Sequence, residues 1–526
     1  MYTASTTGSD YVSSPWSRPE DGFTGSHQGD DEENQENHKH ANLPSSSPVE
    51  ETVQSASTAS SSTPWDIPDD YYAQASQNQP STCEQRFGPA YLEELRHTRA
   101  AYCSPDSPSQ LTCFHNNNNG FNNKDGRTDS FCIAQGAVFD QETNKFQVQC
   151  DTVPDPWGVE TNAPSLKLQS FWKYWYDTGP RIVMDRALAL VASKDDGTHE
   201  RTAGVSRAPL GRNNKFTILL KREGELNPWH CILEILSLTF SMDVLRMTPQ
   251  QYEETAEETP FWTLADAENT QVVILDERHD GPYFDLWQLF AKRPIVRIGE
   301  LPSSNEEMSN VIIPLPGASN PLWQGDWEPN PCRHSVLLKT FSWRVLRHYA
   351  IPDTLEAYGD SGLPSNSEDK DKVVVTFIDR RGQRKLVDMD GHIAALRDRY
   401  EDNGEQHVVI HVVDLAALPF PEQVKLVRNS DVLAGVHGAG LTHGLWMKEH
   451  SAMVEILPED LNHKGFRNFA GVLGHDYFST HGSKVADSSG NWQHDDVRID
   501  VERFLEMMDL AIKSMYNKGR LNYDVI

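Results

Sequence analysis

Positive charge is scarce in this chain. Lys and Arg number 47 against 77 Asp and Glu over 526 residues, a formal net charge of -30 with pI near 5.0. Nucleic acid and anionic membrane are held by clustered basic residues that release counterions, and no basic run occurs here, so neither is expected as a partner. A phosphate-bearing ligand must then be met by a few local cations and backbone amides. Long apolar runs are missing as well. The longest, residues 231–240, is broken by Glu234, well short of the roughly 20 residues a membrane-spanning helix needs, so no transmembrane segment is expected. The first residues, MYTASTTGSDYVSS, show no basic and apolar leader pattern, so no signal peptide is visible. G-x-G-x-x-G, the P-loop, G-x-S-x-G, H-E-x-x-H and the kinase signatures are all lacking, as are internal repeats. No C-x-x-C pair and no sharp carboxylate spacing point to a metal, and none is assigned.

Cysteine is the first feature present in a telling place. Five of the seven (Cys83, Cys103, Cys113, Cys132, Cys150) fall in one Asn-, Gly- and Ser-rich stretch at irregular spacing. That pattern reads as disulfide staples of a protein from an oxidising compartment, rather than free cytosolic thiols. Residues 1–80 are polar and acidic-leaning with few aliphatics, and read as a disordered tail. Residues 81–164 read as a loop-rich, cysteine-containing region with a short helix near 89–98 and an exposed loop at 115–123.

From 165 to 352 the pattern is globular. Strands are expected at 181–185, 215–221, 271–276, 294–298 and 310–315, with a buried helix at 228–242 and an amphipathic one at 337–350. Residues 353–372 read as a linker. From 373 to 526, apolar strands at 373–378, 407–413, 431–436 and 452–457 alternate with helices, and a closing helix spans 501–515. The fold class is therefore α/β, with a parallel sheet whose ligands sit at the strands' carboxyl ends.

One such end is distinctive. The strand DVLAGV runs through His437-Gly438-Ala439-Gly440 into a helix expected at 441–448. Glycines let backbone approach a ligand closely, and a helix N-terminus offers unpaired N–H groups to phosphate. Gly435, Leu441, Thr442 and His443 complete the turn. Three further groups could converge on it. Arg380, Arg381 and Arg384 follow the strand 373–378, and guanidinium forks match phosphate oxygens. Glu455 is an acid in an apolar strand, placed either to hold ribose hydroxyls or simply at a solvent-facing end. His230 and Glu234 are four apart on the 228–242 helix and share one face, so they could act as an acid/base pair. A satisfied structural histidine is the plainer reading of that position.

In order, VVVTFIDRRGQRKLVD, RNSDVLAGVHGAGLTHGLWMKEHSAMVEILPE and FRNFAGVLGHDYFST resemble glycosyltransferase family 61, nearest its branch that places N-acetylglucosamine on EGF domains. The family's R-x-x-x-R falls on Arg380 and Arg384. Its D-x-x-x-G-x-H-G-A-G-L-T-H falls on Asp431, Gly435, His437, Gly438, Ala439, Gly440, Leu441, Thr442 and His443, and its strand acid on Glu455. Asn227, Trp229, His230 and Glu234 match an upstream N-x-[YW]-H motif.

The resemblance implies a GT-B-like pair of Rossmann-like domains facing across a cleft. It implies a UDP-sugar on the C-terminal domain and inverting transfer to a glycoprotein or polysaccharide acceptor. His230 and Glu234 would be catalytic. The arginines, Gly435, the 437–443 turn and Glu455 would hold the donor, with no metal or other cofactor required. It also implies the lumen of the secretory pathway, ER or Golgi. Phe290-Ala291-Lys292-Arg293-Pro294 stands where the EGF-specific branch carries an acidic segment, a departure on the acceptor side. The alternatives are a pentosyl transferase acting on polysaccharide, and a UDP-sugar-binding protein without turnover.

Overall fold

The computed structural model describes residues 67–71, 80–116, 127–158, 166–192, 215–224, 226–250, 259–302, 308–352, 372–400, 407–485 and 489–517. Nearly all of the expected tail and of the 353–372 linker lie outside them; residues 67–71, read as part of the disordered tail, are instead packed on the protein, with Tyr71 buried and Asp70 paired with Arg344. Two sheets organise what is described, so the α/β class holds.

The first sheet has ten strands: β1 (Ala100–Cys103), β2 (Gln110–Asn116), β3 (Asp129–Asp140), β4 (Lys145–Gln149), β5 (Thr152–Gly158), β6 (Leu188–Val191), β7 (Phe216–Leu220), β8 (Thr270–Ile274), β9 (Val296–Arg297) and β10 (Met308–Ile313). Its main path runs β5-β1-β2-β3-β10-β7-β8-β9, and β4 joins β3 to β6. It is antiparallel through β5, β1, β2, β3 and β10, then parallel through β10, β7, β8 and β9.

Several expectations are corrected here. The stretch read as loop-rich carries five strands, β1 to β5, and β3 pairs directly with β10. His115 and Asn116, read as exposed loop, are buried at the end of β2. Cys103–Cys150 and Cys113–Cys132 lie within these strands, and Cys83–Cys332 ties an early helix to a distant segment. Such cross-links let short strands with few large aliphatics form part of a buried sheet. Residues 181–185, read as a strand, belong to the helix Pro180–Ala187. Pro180 at its first turn sets the helical φ, and a five-residue apolar run cannot by itself tell strand from helix.

The second sheet is wholly parallel: β11 (Val373–Ile378), β12 (Val408–Val413), β13 (Val432–Val436), β14 (Ala452–Leu457) and β15 (Asp476–His481), in spatial order β12-β11-β13-β14-β15. The chain moves outward from β11 to β12, then returns to the other side of β11. This reversal makes a topological switch point between β11 and β13, where open α/β sheets bind ligands. The closing helix Val501–Asn517 buries Phe504, Met508, Ala511 and Met515 against the sheet.

The other face of this sheet shares one apolar core with the first. Leu433, Leu441, Trp446, Met453 and Phe469 belong to the same buried cluster as Trp229, Leu233, Leu236, Phe114 and Ile218. The helix Pro228–Arg246, buried almost all round, lies at the centre of that core. The short helix after the glycine turn is 3-10 over Ala439–Trp446, rather than an α-helix over 441–448.

Candidate active site

The loops after β11 and β13 meet at the switch point. Arg380 donates from Nη1 to the carbonyl of His437 at 3.3 Å, and from Nε to the carbonyl of Gln383 at 3.0 Å. This explains the glycine at 438. A Cβ there would stand 1.6 Å from Arg380 Nη1, so only glycine leaves room for the guanidinium against the turn. Cβ atoms at Gly435 and Gly440 would lie 3.2 and 3.3 Å from side-chain atoms of Ile378, so both glycines let the turn settle on the end of β11.

Arg384 lies beside Arg380, with its guanidinium 5.5 Å from the ring centre of Trp492 and its Nε buried without a hydrogen-bond partner. Burial, then the neighbouring Arg380, pull its pKa down to about 10, while Glu455 pulls the other way. Burial lowers that of Arg380 too. Among the described residues neither arginine makes an ion pair. Arg381, by contrast, is exposed and pairs with Asp379. Two half-buried cations side by side in an acidic protein are costly without an anion between them.

Glu455 does not face solvent; it is 1% exposed. One carboxylate oxygen lies 2.5 Å from Nδ1 of His437 and the other accepts from the hydroxyl of Tyr477. The bond to Glu455 fixes the His437 ring. Burial lowers the histidine's pKa, against the pull of Glu455. The ring of His437 is surrounded by His463 at 5.1 Å, Phe466 at 5.6 Å and Trp492 at 5.6 Å.

The remaining turn residues divide. Gly438, Ala439 and Gly440 lie at the start of the 3-10 helix beside Arg380. Leu441 and Thr442 are buried beneath it. His443 also points into the protein, with Nδ1 2.9 Å from the carbonyl of Gly440 and Nε2 2.7 Å from Oε1 of Gln423. Burial pushes its pKa down to about 4. Its contacts hold the turn in shape.

Across the shared core, Asn227 caps the helix Pro228–Arg246 by accepting from the backbone N–H of Trp229 at 3.0 Å. His230 sits in the first turn. Its Nδ1 is 3.6 Å from Oε2 of Glu223, on the loop after β7, and its ring meets Trp323 at 4.3 Å and Tyr176 at 5.2 Å edge-on. The acid beside His230 is thus Glu223. Glu234, one turn along the helix, instead accepts from the backbone N–H of Glu223 at 2.9 Å. Trp229, the residue before His230, touches Phe466 at 5.2 Å, and Phe466 in turn touches His437.

Sequence reasoning missed Glu223, Tyr477, His463, Phe466 and Trp492. Trp492, a lone tryptophan in the polar run DSSGNWQHDD, was the one with a visible signal. The described residues hold no cluster of three or more His, Cys, Asp or Glu side chains able to ligate a metal.

Residues 229–454 match the family model Glycosyltransferase 61. These residues form a glycosyltransferase family 61 domain. That span contains His230 and Glu234 as well as the arginine loop, the glycine turn and the start of β14.

The chain is 26% identical over 256 residues to the EGF domain-specific O-linked N-acetylglucosamine transferase of Drosophila melanogaster, covering 46% of this chain and 41% of the relative. It is 26% identical over 180 residues to the Mus musculus protein of that name, covering 33% and 30%. To the protein O-linked-mannose beta-1,4-N-acetylglucosaminyltransferase 2 of Takifugu rubripes it is 24% identical over 223 residues, covering 40% and 36%. The chain spans less than half the length of these curated relatives. No helix among the described residues is long and apolar enough to cross a membrane, and the three disulfides fit an oxidising compartment.

Proposed function

We propose that the protein is an inverting glycosyltransferase that moves a sugar, N-acetylglucosamine in the simplest case, from a UDP-sugar to a Ser or Thr hydroxyl of a glycoprotein. The observation that carries this is the pair Arg380 and Arg384, half-buried at the switch point with no ion-pair partner among the described residues and only the field of Glu455 acting on Arg384. A diphosphate supplies the missing charge, and the N–H groups opening the 3-10 helix at Ala439 add to it. In this reading the two sheets flank the site in the GT-B manner. The donor's leaving group is met by arginines, with no divalent cation required.

The transfer follows from these positions. His230 takes the proton of the acceptor hydroxyl, and the oxygen attacks the anomeric carbon from the face opposite the phosphate. The bond from that carbon to the diphosphate breaks, and its electron pair leaves on UDP beside Arg380 and Arg384. Configuration at the carbon inverts. The names of the relatives and the family 61 domain support N-acetylglucosamine and a protein acceptor. The disulfides support action in the lumen of the ER or Golgi.

The test is UDP release from a panel of UDP-sugars, including UDP-N-acetylglucosamine and UDP-xylose. Turnover of N-acetylglucosamine alone is expected. Turnover of xylose instead moves the assignment to a pentosyl transferase. No turnover, with UDP still raising the melting temperature, leaves a binding protein.

A further inference from the structure

Glu223 and Glu234 form a buried carboxylate pair that the transfer chemistry above does not use. Glu223 is 2% exposed and Glu234 6%. Their four oxygens receive few donors. Glu223 Oε1 accepts from the backbone N–H of Ala318 at 2.9 Å, and Glu234 Oε1 from that of Glu223. Neither Oε2 has a hydrogen-bond partner. The nearby cation, Arg222, relieves them only in part. Arg222 is engaged with Asp276 at 2.8 Å and with the carbonyls of Arg278 and His279. Gly317 closes the site, since a Cβ there would lie 2.7 Å from Glu234 Cγ and 3.1 Å from Glu223 Oε1. Two adjacent carboxylates in such a place cannot both be ionised. Asp276 also acts on Glu234 and adds to its burden, while His230 lies on Glu223's side, with Trp323 and Tyr176 as ring neighbours.

We propose that Glu223 and Glu234 share a single negative charge, carried by Glu223, which orients His230 and makes it basic enough to serve as the acceptor's base. The proposal rests on the assignment of His230 as that base. Glu223 is a positioning residue. Facing Nδ1, its carboxylate favours the tautomer with the proton on Nδ1, which leaves the Nε2 lone pair to receive a proton. This is the division of labour between carboxylate and imidazole in a Ser-His-Asp triad. It also answers a local problem. His230 is in the first turn of its helix, where the dipole opposes an imidazolium, and the Glu223 charge offsets that field. Glu234 keeps the proton, since burial first and the Glu223 charge second push its pKa up. Its neutral carboxyl anchors the backbone of Glu223.

The test is histidine-imidazole NMR across pH on the full chain, with the His230 signal assigned from His230→Gln. In the wild type the proton of neutral His230 is expected on Nδ1. Glu223→Gln lowers the midpoint of the His230 titration by roughly one pH unit, and Glu223→Asp restores most of it. Glu234→Gln mimics a neutral acid and moves the midpoint by less than about a third of that. A proton on Nε2 in the wild type overturns the proposal, as does a midpoint unmoved by Glu223→Gln. An equal shift from Glu234→Gln places the charge on the wrong residue and overturns it too. Melting temperatures establish that each variant is folded, and the wild-type tautomer decides the proposal alone if Glu223→Gln is not. Failure of the underlying assignment looks different: UDP release then survives His230→Gln while the NMR behaviour holds.

Discussion

The two sheets bury opposite charges at the site. On the parallel sheet, Arg380 and Arg384 stand side by side with no anion among the described residues to pair them. On the mixed sheet, Glu223 and Glu234 stand together with their nearest cation bound elsewhere. The first imbalance lies at the strand ends of the switch point, where both arginines are partly exposed and Arg380 borders the turn. The second is closed and is settled within the protein, by a proton on one acid and a histidine against the other. In the proposed reading, charge awaiting a substrate and charge serving a catalyst are told apart by what already touches them.

This contrast can be broken in several ways, of which the largest concerns the cross-links. All three disulfides lie in the part of the chain before residue 333, and the parallel sheet has none. Removing Cys83–Cys332 by Cys83→Ser with Cys332→Ser is expected to cost about 2–5 kcal/mol of stability, read from denaturant midpoints. UDP affinity of the folded fraction is expected to stay within about threefold, because the donor side holds itself together.

Next is Arg384→Ala. Loss of one charge-assisted contact is expected to weaken UDP binding by roughly a hundredfold in calorimetry. The ligand-free melting temperature is expected to hold or rise, since an uncompensated half-buried cation is gone. A drop in ligand-free stability with unchanged UDP affinity would make the arginine structural.

Gly438→Ala has a smaller effect, about tenfold on UDP affinity. The new methyl meets the far end of the Arg380 side chain, so the arginine must shift, and the φ of +158° is one that L side chains rarely adopt. A loss of about 1 kcal/mol of stability, read as a lower melting temperature, is expected as well.

A last effect, confined to low pH, is on the acid stability of the turn. His443 titrates in the folded state at about 4, below its ordinary 6.5. A depressed pKa means stability that is full above about pH 6.5 and is lost as pH falls toward about 4. His443→Gln is expected to shallow that loss by at most about 3 kcal/mol, measured by denaturant unfolding at pH 7 and pH 4.5. An unchanged slope would remove His443 from the account.

Much of the proposed donor side was legible as local structure in the sequence because its parts are contiguous. A strand, a glycine turn and the next helix follow one another within residues 431–446, and the arginine loop directly follows its own strand. Strand alternation brings these two loops together without any knowledge of distant packing. His443 shows the limit, since nothing local says which histidine of the turn points inward. The acceptor side was much less legible. Spacing on one helix suggested His230 with Glu234, but the carboxylate that reaches the imidazole comes from the loop after β7. That pairing depends on how β7, the buried helix and the Gly317 turn pack. Strands β1 to β5 escaped notice for a related reason, because disulfides and flanking sheet stabilise them where their own apolar content does not.

The most direct test is a crystal structure of the full chain soaked with UDP. The account predicts diphosphate oxygens about 3 Å from the guanidiniums of both Arg380 and Arg384, over Gly438 and the first N–H groups of the 3-10 helix. UDP bound elsewhere, with the two arginines still facing each other unpaired, would contradict it.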